Sequence, residues 1–358
     1  MKLALVTDTH WGARNDSRAF MNYFMKFYDD VFFPYLEENK IDTLIHLGDI
    51  VDRRKFINFR TLQDFRQDFI YRLGKMGIDT HILVGNHDTY LKSSNKINAM
   101  TELFSTFKGD YEPWVYPEAQ EVMFDELKIL FVPWINEENY ESTQKLINDT
   151  DAEIVMGHLE VSGFEMYKGL PNAGGISASV FNKFDRVMSG HFHHKSDNGT
   201  IYYLGAPYEM TWSDYQDPRG FHVFDTDTRE LTYIKNPHRM FHKVFYDDTG
   251  KTFEEVTQRD FSQYEGACVK VVVQSKTNPY WFDIVIDGID KVNPAALTVV
   301  EDHGNITDAL EGDLVDQAED TMTILNKYVD GLSVSGKKGD LKELLQNLHK
   351  EAVTMDLE

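Results

Sequence analysis

Five short polar motifs recur down this chain: Asp8-Thr9-His10, Gly48-Asp49, Gly85-Asn86-His87-Asp88, Gly157-His158 and Gly190-His191-Phe192-His193. Each follows directly on a short apolar run, at Lys2–Val6, 43–47, 81–84, 153–156 and 186–189. Runs of this length, β-favouring and ending in Gly or Asp, read as buried strands. In open α/β sheets, ligands gather beyond the carboxyl ends of the strands. A fold that uses all five runs as strands therefore brings Asp, Asn and His side chains from five places to one sheet edge. Any one motif occurs by chance; five in this order, each behind a strand, leave little room for coincidence.

The residue types specify the chemistry. Alternate residues of an extended segment point the same way, so Asp8 and His10 form one pair and His191 and His193 another. Gly48 permits a sharp departure from its strand, and the two oxygens of Asp49 can bridge two ions. Asn86 offers a neutral oxygen, while His87 faces substrate as a proton donor or phosphate contact. Asp and Asn oxygens with His nitrogens suit Mn²⁺, Fe²⁺ or Zn²⁺. Two such ions about 3.5–4 Å apart form the two-metal site of many phosphatases and nucleases. His46, His81, His194, His222, His238 and His242 lack such motif support, and His46 and His81 fall within strands.

Strand-like runs alternate with helical patterns through about residue 150. Residues 17–39 carry Phe20, Phe24, Phe27 and Val31 at helical spacing, and 61–76 carry Leu62, Phe65, Phe69 and Leu73. The aromatic rings of the first stretch read as core. If exposed, Phe20, Tyr23, Phe24, Phe27 and Tyr28 would instead suit a homodimer face. From 186 to 235 short strands and turns take over, which predicts a two-sheet α/β/β/α sandwich. Asn236-Pro237-His238-Arg239 marks a boundary. Beyond it, 241–246, 267–274, 282–286 and 297–300 read as strands and 253–264 as a helix, a small α+β unit. From about Ile306 the pattern turns helical and acidic, with a second amphipathic stretch through Leu341, Leu344, Leu345, Leu348 and Val353. The expected division is 1–238, 239–303 and 304–358.

Composition narrows the setting. The 358 residues accommodate a main domain and one or two smaller ones, and the 42% hydrophobic content supports a packed core. No apolar stretch approaches the roughly 18–20 residues needed to span a bilayer, and no signal peptide is expected. A single cysteine, Cys268, excludes a disulfide framework and a thiolate zinc cluster. A cytoplasmic protein without membrane association is the expectation. The net charge of −23 is awkward for a nucleic-acid enzyme, since DNA binding draws on Lys and Arg clusters. Bound cations would offset part of it. The segment from Glu301 to Glu358, with 14 acidic and 5 basic residues, accounts for more. A basic partner could hold DNA for such a chain; a small phosphate ester would fit it too.

The motif set resembles the calcineurin-like metallophosphoesterase superfamily, whose pattern is D-x-H, G-D-x-x-D, G-N-H-D/E, G-H and G-H-x-H. The resemblance covers roughly residues 1–235. It implies that Asp8, His10, Asp49 and His193 bind one ion and that Asp49, Asn86, His158 and His191 bind a second, with His87 catalytic. Within the superfamily the chain looks like the nuclease subunits of SbcCD-type DNA-repair complexes, the recombination endonuclease subunits of T-even-like bacteriophages among them. That narrower likeness rests on Asp8-Thr9-His10-Trp11-Gly12, on 48–55, on Val132-Pro133-Trp134, on 157–164, on Leu204-Gly205-Ala206-Pro207 and on Asp217-Pro218-Arg219-Gly220. It implies a Mn²⁺-dependent DNA nuclease, both exonuclease and endonuclease, with Mg²⁺, Fe²⁺ or another divalent ion as substitutes. The 239–303 unit would cap the site and recognise DNA. The C-terminal helices would dock on an SbcC-like coiled-coil ATPase, within a heterotetramer built on a homodimer of this chain. Some relatives carry His where this chain has Asp52, the position tied to exonuclease action. Arg14, Asp52, Arg53 and Arg54, with Lys55, are the expected substrate contacts near the metal-bearing edge. The rival readings are a phosphatase or cyclic-nucleotide phosphodiesterase using the same metals, and a non-catalytic scaffold.

Overall fold

Two six-stranded mixed sheets carry the motifs. A computed structural model of the chain describes residues 1–105, 111–167, 170–172, 174–301, 341, 344 and 345. The first sheet runs in the order Leu231–Lys235, Gly220–Asp225, Lys2–Val6, Thr43–His46, Asp79–Leu83, Trp114–Tyr116. Its last four strands are mutually parallel, and Gly220–Asp225 pairs antiparallel with both Lys2–Val6 and Leu231–Lys235. The second runs Ser196–Asp197, Ile201–Tyr203, Arg186–Gly190, Ile154–His158, Leu127–Val132, Gln120–Phe124, parallel through its middle four.

Side-chain alternation assembles the layers. Leu3, Leu5, Ile45, Leu47 and Leu83 of the first sheet meet Ile129, Phe131, Ile154, Met156 and Met188 of the second. The intervening residues Ala4, Val6, Leu44 and Ile82 face outward and are covered by helical stretches 18–38 and 59–76. Leu130, Val132, Val155 and Val187 pack on the opposite side beneath the helix Tyr140–Asp149 and the turn Ala178–Phe181. The result is the four-layer α/β/β/α sandwich the sequence predicts. Strands covered on both faces must be apolar throughout, which is why the runs before the motifs are continuous. Each Leu, Val or Phe so buried contributes about 1.5–3 kcal/mol.

The rings considered for a dimer face are core. Phe20, Tyr23, Phe24, Phe27 and Tyr28 are all buried, most of them beneath Tyr208 and Phe221. A wide turn in which the Phe33 N–H reaches back to the Tyr28 carbonyl keeps Phe27, Tyr28, Phe32, Phe33 and Leu36 on the buried side.

Beyond residue 240, Phe241–Asp247, Cys268–Ser275 and Ala296–Glu301 form a three-stranded, wholly parallel sheet. Parallel neighbours need crossovers, and Pro279–Asp290 supplies one as a helix. The strand expected at 282–286 is therefore helical. Asn278 caps the Tyr280 and Trp281 N–H groups, Pro279 fills the first turn, and Phe282, Val285 and Ile289 are buried at helical spacing. The helix expected at 253–264 is two shorter pieces, Phe253–Thr257 and Ser262–Tyr264. The buried Glu209 carboxylate ties this unit to the sandwich, accepting from the Met240 and Phe241 N–H groups (2.7 and 3.0 Å) and from Arg239 (2.9 Å). The expected partner-binding helices at 304–358 lie outside the described residues, apart from Leu341, Leu344 and Leu345. Among the described residues no helix is long and apolar enough to cross a membrane.

Candidate metal centre

The motifs sit at the carboxyl ends of Lys2–Val6, Thr43–His46 and Asp79–Leu83 in one sheet and of Ile154–His158 and Arg186–Gly190 in the other. The seven side chains expected as ligands converge there. Ligand atoms of Asp8, His10 and His193 lie within 4.8 Å of one another, and so do those of Asp49, His158 and His191. His10 Nε2 is 3.0 Å from His193 Nε2 and 4.0 Å from Asp8 Oδ1. Asn86 Oδ1 is 2.9 Å from His158 Nε2 and 2.8 Å from His191 Nδ1. Asp49 Oδ2 stands between the groups, 3.8 Å from His10 Nε2 and 3.3 Å from His158 Nε2.

Asp8, Asp49, His10 and His158 are buried. Buried carboxylates require a cation or hydrogen-bond donors, and this many convergent imidazoles and carboxylates form a divalent-metal donor set. The outer contacts support the same reading. The His158 Nδ1–H donates to the Leu47 carbonyl (2.7 Å), which leaves Nε2 aimed at Asp49 and Asn86. His10 Nδ1 lies 3.5 Å from Asp52 Oδ1, which leaves its Nε2 to the Asp8 group. The Asp8 carboxylate accepts from Thr7 Oγ1 (2.7 Å) and from the His191 N–H (3.1 Å).

Backbone strain concentrates here. Asp8, His10, Asp49 and His191 have φ of 53°, 41°, 56° and 89°. Residues other than Gly in this region cost of order 1–3 kcal/mol each and persist where surrounding contacts over-determine them. Two glycines allow the close approach. A Cβ on Gly48, at φ 97°, would lie 2.6 Å from His158 Nδ1, and one on Gly85 would lie 2.3 Å from the Asp49 N and Oδ1 atoms.

The carboxylates sort the imidazoles by charge. Burial opposes protonation of His10, yet Asp52, Asp49 and Asp8 together raise it to about 9. Burial likewise opposes His158, and Asp49 and Asp8 raise it to about 9. Burial, with the His158 charge, drops His191 to about 3. Asp49 is held well below the usual carboxylate range, against burial, by His158, His87 and His10.

The profile of the calcineurin-like phosphoesterases matches residues 1–195, more than half the chain. The chain belongs to the calcineurin-like phosphoesterase family. Exonuclease subunit 1 of Enterobacteria phage T4 is 34% identical to it over 239 residues, 67% of each chain. The SbcD subunit of the SbcCD nuclease of Staphylococcus saprophyticus is 21% identical over 255 residues, covering 65% of this chain and 67% of that protein. Its Staphylococcus epidermidis counterpart is 20% identical over 384 aligned positions, spanning all of this chain and 95% of that one.

The phosphoesterase cleft has a volume of about 470 Å³ and is lined by His10, Asp49, Asn86, His87, His191 and His193. Arg14 and Asp52 line it too. Arg53 is turned to Asp16, with its guanidinium 4.5 Å over the Phe56 ring. Arg54 is part-buried and feels the Asp49 charge. The His87 Nδ1–H donates to the Asp52 carbonyl (2.6 Å) and its backbone N–H to Asp49 Oδ1 (2.7 Å), which leaves Nε2 for the cleft. A larger cavity of about 600 Å³, beside Trp134 and Tyr140, is lined by none of the candidate ligands.

Two positioning residues were not singled out from sequence. The Asp88 carboxylate, fully buried, accepts from the Asp49, Ile50, Val51 and Gly85 N–H groups (2.9, 2.9, 3.2 and 2.9 Å) and so shapes both metal loops. An acid after Gly-Asn-His was the available signal. Buried Arg219 donates to the His193 carbonyl and pairs with Asp214 (2.7 Å) and Asp217 (2.8 Å). Its signal, the Asp217-Pro218-Arg219-Gly220 string, carried family likeness but no role. His46 and His81 make internal contacts, with Thr9 Oγ1 and Tyr116 Oη, and join no ligand group.

Proposed function

We propose that this chain is a Mn²⁺-dependent DNA phosphodiesterase, the nuclease subunit of an SbcCD-like recombination and repair complex. The observation that carries the reading is the convergence of two ligand groups and His87 on one cleft, in a chain 34% identical to a phage protein named an exonuclease subunit. Asp8, His10, Asp49 and His193 would hold one ion, and Asp49, Asn86, His158 and His191 the other. Bound there, two divalent cations would supply positive charge for the phosphodiester oxygens and acidity for the attacking water.

The protein's own contribution centres on His87. Its Nδ1 is fixed on the Asp52 carbonyl, so a proton on Nε2 would be directed into the cleft. Burial lowers the pKa of this imidazole, and Asp49 and the Asp52 carbonyl oppose that. In its imidazolium form His87 would donate from Nε2 to the departing sugar oxygen. Arg14 would meet a DNA phosphate at the cleft wall. The 239–303 unit would cap the cleft, and 304–358 would bind a coiled-coil ATPase that supplies grip on DNA. A homodimer would not use the buried rings of 20–28; the exposed Phe56 and Phe59 are available instead. The cytoplasm is the proposed location, that of the host if the chain is phage-encoded.

The test is Mn²⁺-dependent cleavage of labelled linear and hairpin DNA by the purified chain and by His87→Ala, with and without the ATPase. Cleavage reduced about 10²–10⁴-fold in the variant, with metal content unchanged, is expected. Absence of cleavage under every condition, alongside turnover of a small aryl phosphate, would move the assignment to a phosphatase.

A further inference from the structure

A second polar cavity, of about 330 Å³, opens where the edges of the two sheets part. Its lining draws on Gly220–Asp225 and Leu231–Lys235 of one sheet and on Arg186–Gly190, Ser196–Asp197 and Ile201–Tyr203 of the other. Deeper in, the space between the sheets is filled by Leu3, Leu5 and Met188. At this edge the same space is walled by Arg186, Lys195, Ser196, His222, Tyr202 and Tyr233. His222 sits directly opposite Leu5 in the strand register, a position that elsewhere carries a core hydrophobe.

The polar groups of this wall are incompletely satisfied. His222 is 2% exposed, and its buried Nδ1 has no hydrogen-bond partner. The buried Ser196 Oγ has none either. Native interiors rarely leave such groups unpaired, and an unpaired one is a pointer to a bound water, ion or ligand. Burial, with the Lys195 charge, drops His222 to about 3, so its ring is neutral and can donate from one nitrogen. The Lys195 ammonium lies over the Tyr233 ring, 5.2 Å from its centroid, and the Arg186 guanidinium over Tyr202 at 5.0 Å. The two carboxylates that share the lining, Asp197 and Glu230, are solvent-exposed, whereas Lys195 and Arg186 are half-buried.

We propose that this cavity is a site for a phosphate anion, distinct from the metal centre, with Lys195, Ser196 and His222 as its donors. The phosphate would come from inorganic phosphate or from a nucleoside monophosphate, whose planar base the Tyr202 and Tyr233 rings would flank. The site is wired to the metal centre. Tyr233 Oη donates to the Arg219 carbonyl (2.7 Å), Arg219 donates to the His193 carbonyl, and Lys195 is two residues beyond His193. Occupancy would thus be felt at a residue in the metal cluster. The inference does not rest on the nuclease reading, because its test reads binding alone.

The test titrates inorganic phosphate and deoxyadenosine monophosphate into the full-length chain by calorimetry, with Mn²⁺ and again with chelator. Saturable binding that survives the chelator is expected. Lys195→Gln should weaken it about ten- to hundredfold, the loss of one charge-assisted hydrogen bond to phosphate. Ser196→Ala, a milder change, should weaken it about three- to tenfold. Unfolding midpoints of both variants, unchanged from the parent, exclude misfolding as the cause. A nucleotide that binds tenfold or more tightly than inorganic phosphate identifies the nucleotide as the ligand; equal affinities identify the free anion. Binding that vanishes with chelator, or that Lys195→Gln leaves unchanged, or that is absent for both probes, overturns the proposal.

Discussion

Replacing Asp88 with Asn removes one oxygen from a carboxylate that organises two metal loops at once. Oδ1 accepts from Ile50 and Val51, and Oδ2 from Asp49 and Gly85. An amide keeps one such oxygen and so retains one pair of bonds. It turns an NH₂ group toward the other pair of N–H donors, leaving two buried donors facing a donor. Hydrogen bonds to a charged group contribute about 1.5–3 kcal/mol each, so two of them amount to about 3–6 kcal/mol. Burial and the nearby Asp49 oppose ionisation of Asp88, which favours the lower end, about 3 kcal/mol. Urea unfolding followed by tryptophan fluorescence measures the loss, and metal titration of the folded variant measures its second consequence. Because the loop carrying Asp49 loses donors to this side chain in either amide orientation, the variant should also bind fewer equivalents of Mn²⁺. An Asp88→Asn chain within about 1 kcal/mol of the parent, with full metal content, would refute the claim that this carboxylate holds the loops.

Metal binding at pH 7 should release about two protons, because His10 and His158 carry them there, each with a pKa of about 9, and a coordinated imidazole nitrogen must be deprotonated. Calorimetry in buffers of different ionisation enthalpy counts them, and apparent affinity should rise with pH until about 9. The sign for stability is opposite. Histidines raised above their ordinary 6.5 stabilise the metal-free fold fully below that pH, and this contribution disappears as pH rises through 9. Arg219→Ala leaves Asp214 and Asp217 buried without their partner and frees the His193 carbonyl, so a loss of about 3–5 kcal/mol is expected by chemical denaturation. Gly85→Ala drives a methyl into Asp49 and should abolish Mn²⁺ binding at both groups, read by metal analysis after gel filtration.

The site was legible because its logic is local to strand ends. A candidate ligand follows each buried run, so recognising five strands brought Asp8, His10, Asp49, Asn86, His158, His191 and His193 to one sheet edge. The layers followed from the same runs, whose uninterrupted apolarity requires cover on both faces. Contacts made only by tertiary folding were not legible. Asp88 reads as one more acid until its four N–H donors are seen, and Arg219 as a surface charge until it is found beneath His193. The helix Pro279–Asp290 was misread because Phe282, Val285 and Ile286 are β-favouring. Its Asn278-Pro279 start, a local capping signal, outweighed that preference. The rings of 20–28 show the limit of pattern alone, since helical spacing of Phe and Tyr does not say whether the partner face belongs to the same chain. Here it does, in Tyr208 and Phe221.

Anomalous diffraction from crystals equilibrated with Mn²⁺ shows whether a pair of divalent ions shares Asp49. Two peaks in the cleft are expected, one among Asp8, His10, Asp49 and His193 and the other among Asp49, Asn86, His158 and His191. A single peak, or peaks that leave Asp49 uncoordinated, would contradict the shared pair.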